Sequence, residues 1–137
     1  MSHVQQHSLS ELTRIEVPGT TIYLVDRWYL SGQGLIGVPQ EKMKDAIMMF
    51  LRVYESPPFD MHLVGYPVDI AYLSNKYEVL KIDTNVNGKS EPAKQSYRAV
   101  EAKAGYFREH NIKVGSVFPY RVFLRNEEER YNQNKND

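Results

Sequence analysis

Four side chains in this sequence have the types from which a chemical site could be assembled: His62, Tyr66, Asp69 and Glu101. His62 follows Met61 inside the hydrophobic body and precedes Asp69 by seven residues. On neighbouring segments, an imidazole and a carboxylate form the pair that general acid–base chemistry uses. No serine, cysteine or second histidine stands nearby as an obvious third member, so no catalytic residue is assigned and His62 reads as a structural or surface histidine. Asp69 lies between Val68 and Ile70, just after Pro67. A carboxylate in a hydrophobic strand either points to solvent on the alternating face or is held by backbone amides, and both outrank catalysis. Glu101, between Val100 and Ala102, has the same ambiguity, with Lys103 as a same-face neighbour. A pocket near these four groups defines one alternative, a small-molecule-binding protein or an enzyme of unknown reaction.

Two further motifs are weaker. Gly32-Gln33-Gly34-Leu35-Ile36-Gly37 fits the glycine pattern of dinucleotide sites, and Glu55 follows at a suitable distance for a ribose contact. Pro39 and an apolar run from Ala46 leave no room for the crossover helix that such a site requires. The stretch reads instead as a glycine-rich turn. His3 and His7 have the spacing of two metal ligands on a helix, but they sit in a polar leader without a helix signal. The chain has no cysteine, which removes a disulfide framework, thiolate-bound zinc, an iron–sulfur cluster and a thiol nucleophile together. No metal and no cofactor is expected.

Such groups must be positioned by the surrounding elements, and 137 residues suffice for one domain. Residues 20–25, TTIYLV, are β-branched and aromatic and follow a Pro18-Gly19 turn signal. Residues 46–53 are apolar on both alternating faces until Arg52, which predicts a central strand covered on both sides. Residues 68–73 and 77–83 flank Ser74-Asn75-Lys76 and predict a hairpin. Residues 97–102 predict another strand, and residues 116–124 a last one, with Pro119 marking an edge or a bulge. Residues 39–45 and 104–111 predict short helices. The polar residues 85–95 predict a long exposed loop. The fold class is therefore mainly β: a small β-barrel or sandwich with one or two short helices and polar N- and C-terminal arms. The expected division is an arm at 1–11, one β-rich domain at 12–124 and a polar tail at 125–137.

Several motifs, in order, resemble the domain-of-unknown-function family 192. Gly34-Leu35-Ile36-Gly37, the run from Asp45 to Phe50, Phe59 with Met61, and Pro67-Val68-Asp69-Ile70 match its Gly-Leu-Met turn, Gly-Met-Leu-Phe strand, Trp-Met-Lys-Asn-Thr segment and Pro-Leu-Asp strand. Glu101, Ala104-Gly105 and the run from Asn111 to Gly115 match its closing pattern. The resemblance implies a compact, mostly β fold with a short helix and supplies no reaction. It also shows departures. Asp60 stands where the family has tryptophan, His62, Leu63 and Val64 replace Lys-Asn-Thr, and Ser116 replaces the final aspartate. If those positions line a polar pocket in relatives, this chain has lost most of it.

Composition weighs on the choice of partner. Lys plus Arg and Asp plus Glu both number 17, a formal net charge of zero. That disfavours nucleic acid and a polybasic membrane anchor as partners. No apolar run has membrane-spanning length and no signal peptide is read, so the expected site of synthesis is the cytoplasm. Ten tyrosines suit protein interfaces and β-sheets alike. The tail from Arg125 has a single apolar side chain, Tyr131, and cannot offset its own ordering entropy of about 1–2 kcal/mol per residue. The sequence thus favours a non-enzymatic structural or interaction protein in a homo- or hetero-oligomeric assembly, of the kind found in virus or phage particles. Arg125, Arg130 and Tyr131 are its expected partner contacts, with the N-terminal arm and loop 85–95 beside them.

Overall fold

The structure, a computed structural model, describes residue 9, residues 12–25 and residues 34–135. The arm expected at 1–11, with His3 and His7, lies outside the described residues except for Leu9. Gly32 lies outside them as well.

Its centre is one mixed six-stranded sheet with the order β1-β2-β3-β8-β5-β6. β1 (Thr13–Val17) and β2 (Thr20–Val25) form a hairpin through Pro18-Gly19, where Gly19 has a φ of 78°. That left-handed backbone favours glycine at the turn. β3 (Ala46–Leu51) runs parallel to β2 and antiparallel to β8 (Arg98–Lys103). β5 (Val68–Leu73) lies antiparallel between β8 and β6 (Val79–Val86). Two further pieces, β4 (Phe59–Asp60) and β7 (Lys89–Ser90), pair as a small ribbon.

All six residues of β3 and all six of β5 are buried, so these strands are covered on both faces; this was expected for the apolar run of β3, while β5 buries Asp69 as well. One face carries Ile47, Met49, Ala71, Leu73, Val100 and Ala102. It is covered by α1 (Tyr106–Glu109) and by the chain leading into α2 (Arg121–Lys135), through Tyr106, Phe107, Phe118 and Leu124. The other face carries Met48, Phe50, Val68, Ile70, Tyr72 and Ala99, covered by Leu35, Val38, Met43, Phe59 and Met61. Each large apolar side chain so buried contributes roughly 1.5–3 kcal/mol. The molecule is therefore mainly β and sandwich-like, and the sheet does not close into a barrel. No helix among the described residues is long and apolar enough to cross a membrane.

The predicted 68–73 hairpin and the two short helical pieces, a 3-10 turn at Gln40–Met43 and α1, are present. Three predictions are corrected. Residues 116–124 are not a strand: only Val117 bridges to Glu78, a turn follows at 119–120, and α2 begins at Arg121. Pro119 has no N–H to offer a ladder, and the chain turns there. Residues 125–135, expected as part of a polar tail, continue α2 as helix. Loop 85–95 is shorter than predicted, because β6 extends to Val86 and β7 follows. β1, absent from the sequence reading, buries Ile15 and Val17 and exposes Arg14 and Glu16.

Candidate functional site

Glu101 occupies the middle of β8, opposite Met48 of β3 and Ile70 of β5. It shares its face with Ala99, so its carboxyl group enters the apolar layer containing Met48, Phe50 and Ile70. It has no exposed surface, and neither carboxyl oxygen meets a hydrogen-bond donor among the described residues. Burial pushes its pKa up to about 8, so the neutral acid is the favoured form at physiological pH. Above it lies the turn at residues 34–37. A Cβ on Gly34 would stand 3.1 Å from Glu101 Oε1 and 3.6 Å from Phe50 Cζ. Gly34 also has a φ of 48°, so both the close approach and the backbone select glycine. Tyr66 fastens the far end of this roof by donating to the Val38 carbonyl at 2.8 Å. Burial, and to a lesser extent the Glu101 charge, pushes the Tyr66 phenol up to about 12.

The four groups proposed as one pocket do not converge. Asp69 points to the opposite face from Ile70 and accepts hydrogen bonds from the Asn85 N–H at 2.9 Å and the Gly105 N–H at 2.8 Å. It fixes two turns, the second of the two roles its sequence context allowed. His62 sits at the surface, its side chain 62% exposed, 2.8 Å from Asp60. The hydrogen bond from His62 holds the Asp60 carboxyl below its ordinary range. Only Glu101 and Tyr66 remain on one side. The period of two in a strand separates Asp69 from Ile70, and nothing in local sequence indicates which face a given neighbour covers.

A second place gathers residues from the other end of the sheet. Arg98, first residue of β8, is buried and meets Glu128 of α2 through two hydrogen bonds, Nε–Oε1 at 2.9 Å and Nη2–Oε2 at 2.7 Å. Its Nη1 donates to the Ser74 carbonyl at 3.0 Å. The guanidinium lies 3.7 Å from the centre of the Tyr77 ring, and the Tyr77 hydroxyl donates to Glu128. Burial and that carboxylate push the Tyr77 phenol well above its ordinary value. This clasp holds α2 against the sheet, so the C-terminal segment is fixed within the chain itself. A partner surface, invoked from composition, is not needed for that.

Beside the clasp runs an open groove of about 720 Å³. Its floor includes Tyr77, Tyr97 and Arg98, and its rim includes Lys76, Arg121 and Arg125. No ion pair among the described residues engages those three rim cations. Val122 lines the same groove with 71% of its surface exposed, and Tyr54, stacked on Tyr97, is also exposed. Of the three expected contacts, Arg125 is exposed on this rim. Arg130 and Tyr131 lie on α2, but their side chains fall outside those described. Tyr77, Arg98, Arg121 and Glu128 were not singled out in the sequence. Only a charged residue opening the β-rich stretch 98–102 hinted at a buried ion pair.

A model of the family DUF192, an uncharacterised ACR, matches residues 13–119. Two solved structures resemble this chain. A protein of unknown function from Novosphingobium aromaticivorans superposes with a TM-score of 0.62 at 19% identity, covering 76% of this chain and 80% of that one. A candidate transcription regulator from Sinorhizobium meliloti gives 0.60 at 20% identity, covering 76% of this chain and 87% of that one. At such identities the likeness speaks for the fold. No curated protein matches.

Proposed function

The chain belongs to the DUF192 family, which brings no established reaction with it, and we propose that it acts as a non-enzymatic interaction protein, built into a larger assembly by docking an acidic segment of a protein partner. The groove beside α2 carries this reading. It joins an aromatic floor, which suits an apolar anchor, to a rim with Lys76, Arg121 and Arg125 against the single rim carboxylate Glu129. Arg and Tyr are the residue types that dominate interface energetics. A cationic rim recruits an acidic partner and disfavours a basic one.

The test is fluorescence anisotropy with a short labelled peptide in which acidic residues flank one phenylalanine. The wild-type chain is expected to bind it saturably, more weakly as salt rises. The double substitution Arg121→Glu, Arg125→Glu should weaken binding roughly tenfold or more without changing the melting temperature by more than a few degrees. Binding that ignores the double reversal, or a folded wild-type chain that gives no saturable signal, refutes the groove as the docking site.

A further inference from the structure

We propose that Glu101 is the anionic anchor of a second, separate site, which takes a small ligand bearing a cationic hydrogen-bond donor, an ammonium or amidinium, on a compact apolar body. Three observations carry this. First, both carboxyl oxygens are buried without a donor among the described residues. Buried side-chain polar atoms without partners are few in folded proteins, and each costs free energy. A group that only stabilised the sheet would be better served by the aliphatic residues around it. Second, the surroundings are chemically one-sided. Met48, Ile70 and Phe50 present apolar walls, and the phenol tips of Tyr66 and Tyr72 are already committed, to the Val38 carbonyl and to Ser90. Such walls suit an apolar body and leave the carboxyl group as the acceptor without a partner among the described residues. Third, part of the roof over the acid is backbone. A Cβ on Gly34 would stand 3.1 Å from Oε1, so at that point only backbone lies over the acid, and a shift of the 34–37 turn, carrying Leu35 with it, opens an approach to the carboxyl group.

The ligand class follows from the acceptor. An ionised carboxylate only accepts hydrogen bonds, and two free oxygens match a donor with two parallel N–H groups. An anionic or acceptor-only ligand gains nothing there. A cation entering this apolar layer supplies the opposite charge that makes ionisation favourable, so Glu101 gives its proton to solvent as the ligand binds.

Isothermal titration with benzamidine and with benzylamine at pH 7, repeated in two buffers of different ionisation enthalpy, tests this. The expected result is one saturable site for at least one probe, weak as befits a fragment, with release of up to one proton per probe bound. Glu101→Gln should abolish binding while the far-UV spectrum and melting curve show a folded chain. Glu101→Asp, which keeps the charge but retracts it, should weaken binding about tenfold. The acidic-peptide binding expected at the groove should be unaffected by either change. No saturable binding of either probe to the folded wild-type chain, or binding that persists unchanged in Glu101→Gln, overturns the proposal.

Discussion

The buried acid makes a prediction about stability that needs no ligand. In the unfolded chain Glu101 titrates near its ordinary value of 4.5, whereas in the folded protein burial moves it to about 8. The folded state therefore holds a proton that the unfolded state has lost throughout that interval. Stability must fall with rising pH there, by about 1.4 kcal/mol per pH unit. The contribution is fully present below pH 4.5 and is lost once the pH has risen through the folded value. Across the interval it amounts to something on the order of 5 kcal/mol, a large part of a typical total of about 5–15 kcal/mol. Among the described residues, no charged neighbour offsets the burial of the ionised form. Glu101 faces the phenols of Tyr66 and Tyr72, whose own titration burial pushes upward.

Glu101→Gln keeps the shape and polarity of the neutral acid and removes the titration. Urea unfolding of both proteins at pH 5, 6, 7 and 8 isolates the effect, because every other group contributes equally to the two curves. At pH 5 the two should agree within about 1 kcal/mol, since each buries one neutral, poorly bonded group. At pH 8 the variant should be the more stable by several kcal/mol, equivalent to a melting temperature roughly 10–20 °C higher. Two parallel stability curves over this range would refute the assignment of Glu101 as a buried neutral acid.

Three shorter tests concern the groups around it. Glu128→Ala leaves the Arg98 guanidinium buried without its carboxylate and should cost about 3–5 kcal/mol, with loss of helical signal in far-UV circular dichroism; an effect below 1 kcal/mol would show that the clasp does not hold α2. Asp69→Ala orphans the Asn85 and Gly105 amides and should destabilise by about 2–4 kcal/mol in urea unfolding, whereas a surface aspartate would cost almost nothing. His62→Ala, at an exposed ion pair, should change stability by less than about 0.5 kcal/mol at any pH from 5 to 8, and a larger loss would mean that His62 is more than a surface group.

Legibility in the sequence followed how locally each element is determined. β3 announces itself because AIMMFL is apolar on both faces, and β5 with β6 because a three-residue polar loop separates two β-rich runs. β1 is harder to read: its two inward residues, Ile15 and Val17, are too few to establish a period without knowledge of the hairpin. α2 is harder still. RVFLRNEEERYNQNK buries Leu124 and Glu128, and only the first of these looks like a core residue. Glu128 is inside because Arg98, 30 residues earlier, awaits it, and no window along the chain contains both. The candidate site divides in the same way. A surface role for His62 and an amide-held role for Asp69 could be read from their context, whereas the face on which Glu101 and Tyr66 meet depends on strand register that no local window contains.

The clasp also explains why the groove has the charge it has. A buried ion pair is a poor source of net stability, because desolvating two charges offsets most of their attraction. Its surer effect is positional. Glu128 has one place to go, with both its oxygens engaged by Arg98 and one of them also by Tyr77. Fixing it fixes the rotation of α2 about its own axis. Residues three, four and seven positions before Glu128 on a helix share its face. They are Arg125, Leu124 and Arg121. Leu124 closes the core beneath, while the two arginines are left standing over the groove floor. A helix of this polarity and length is marginal alone in water, so without the ion pair neither its orientation nor the cationic rim would be defined. The charge that seats the helix and the charges that would meet a partner are thus set by one contact.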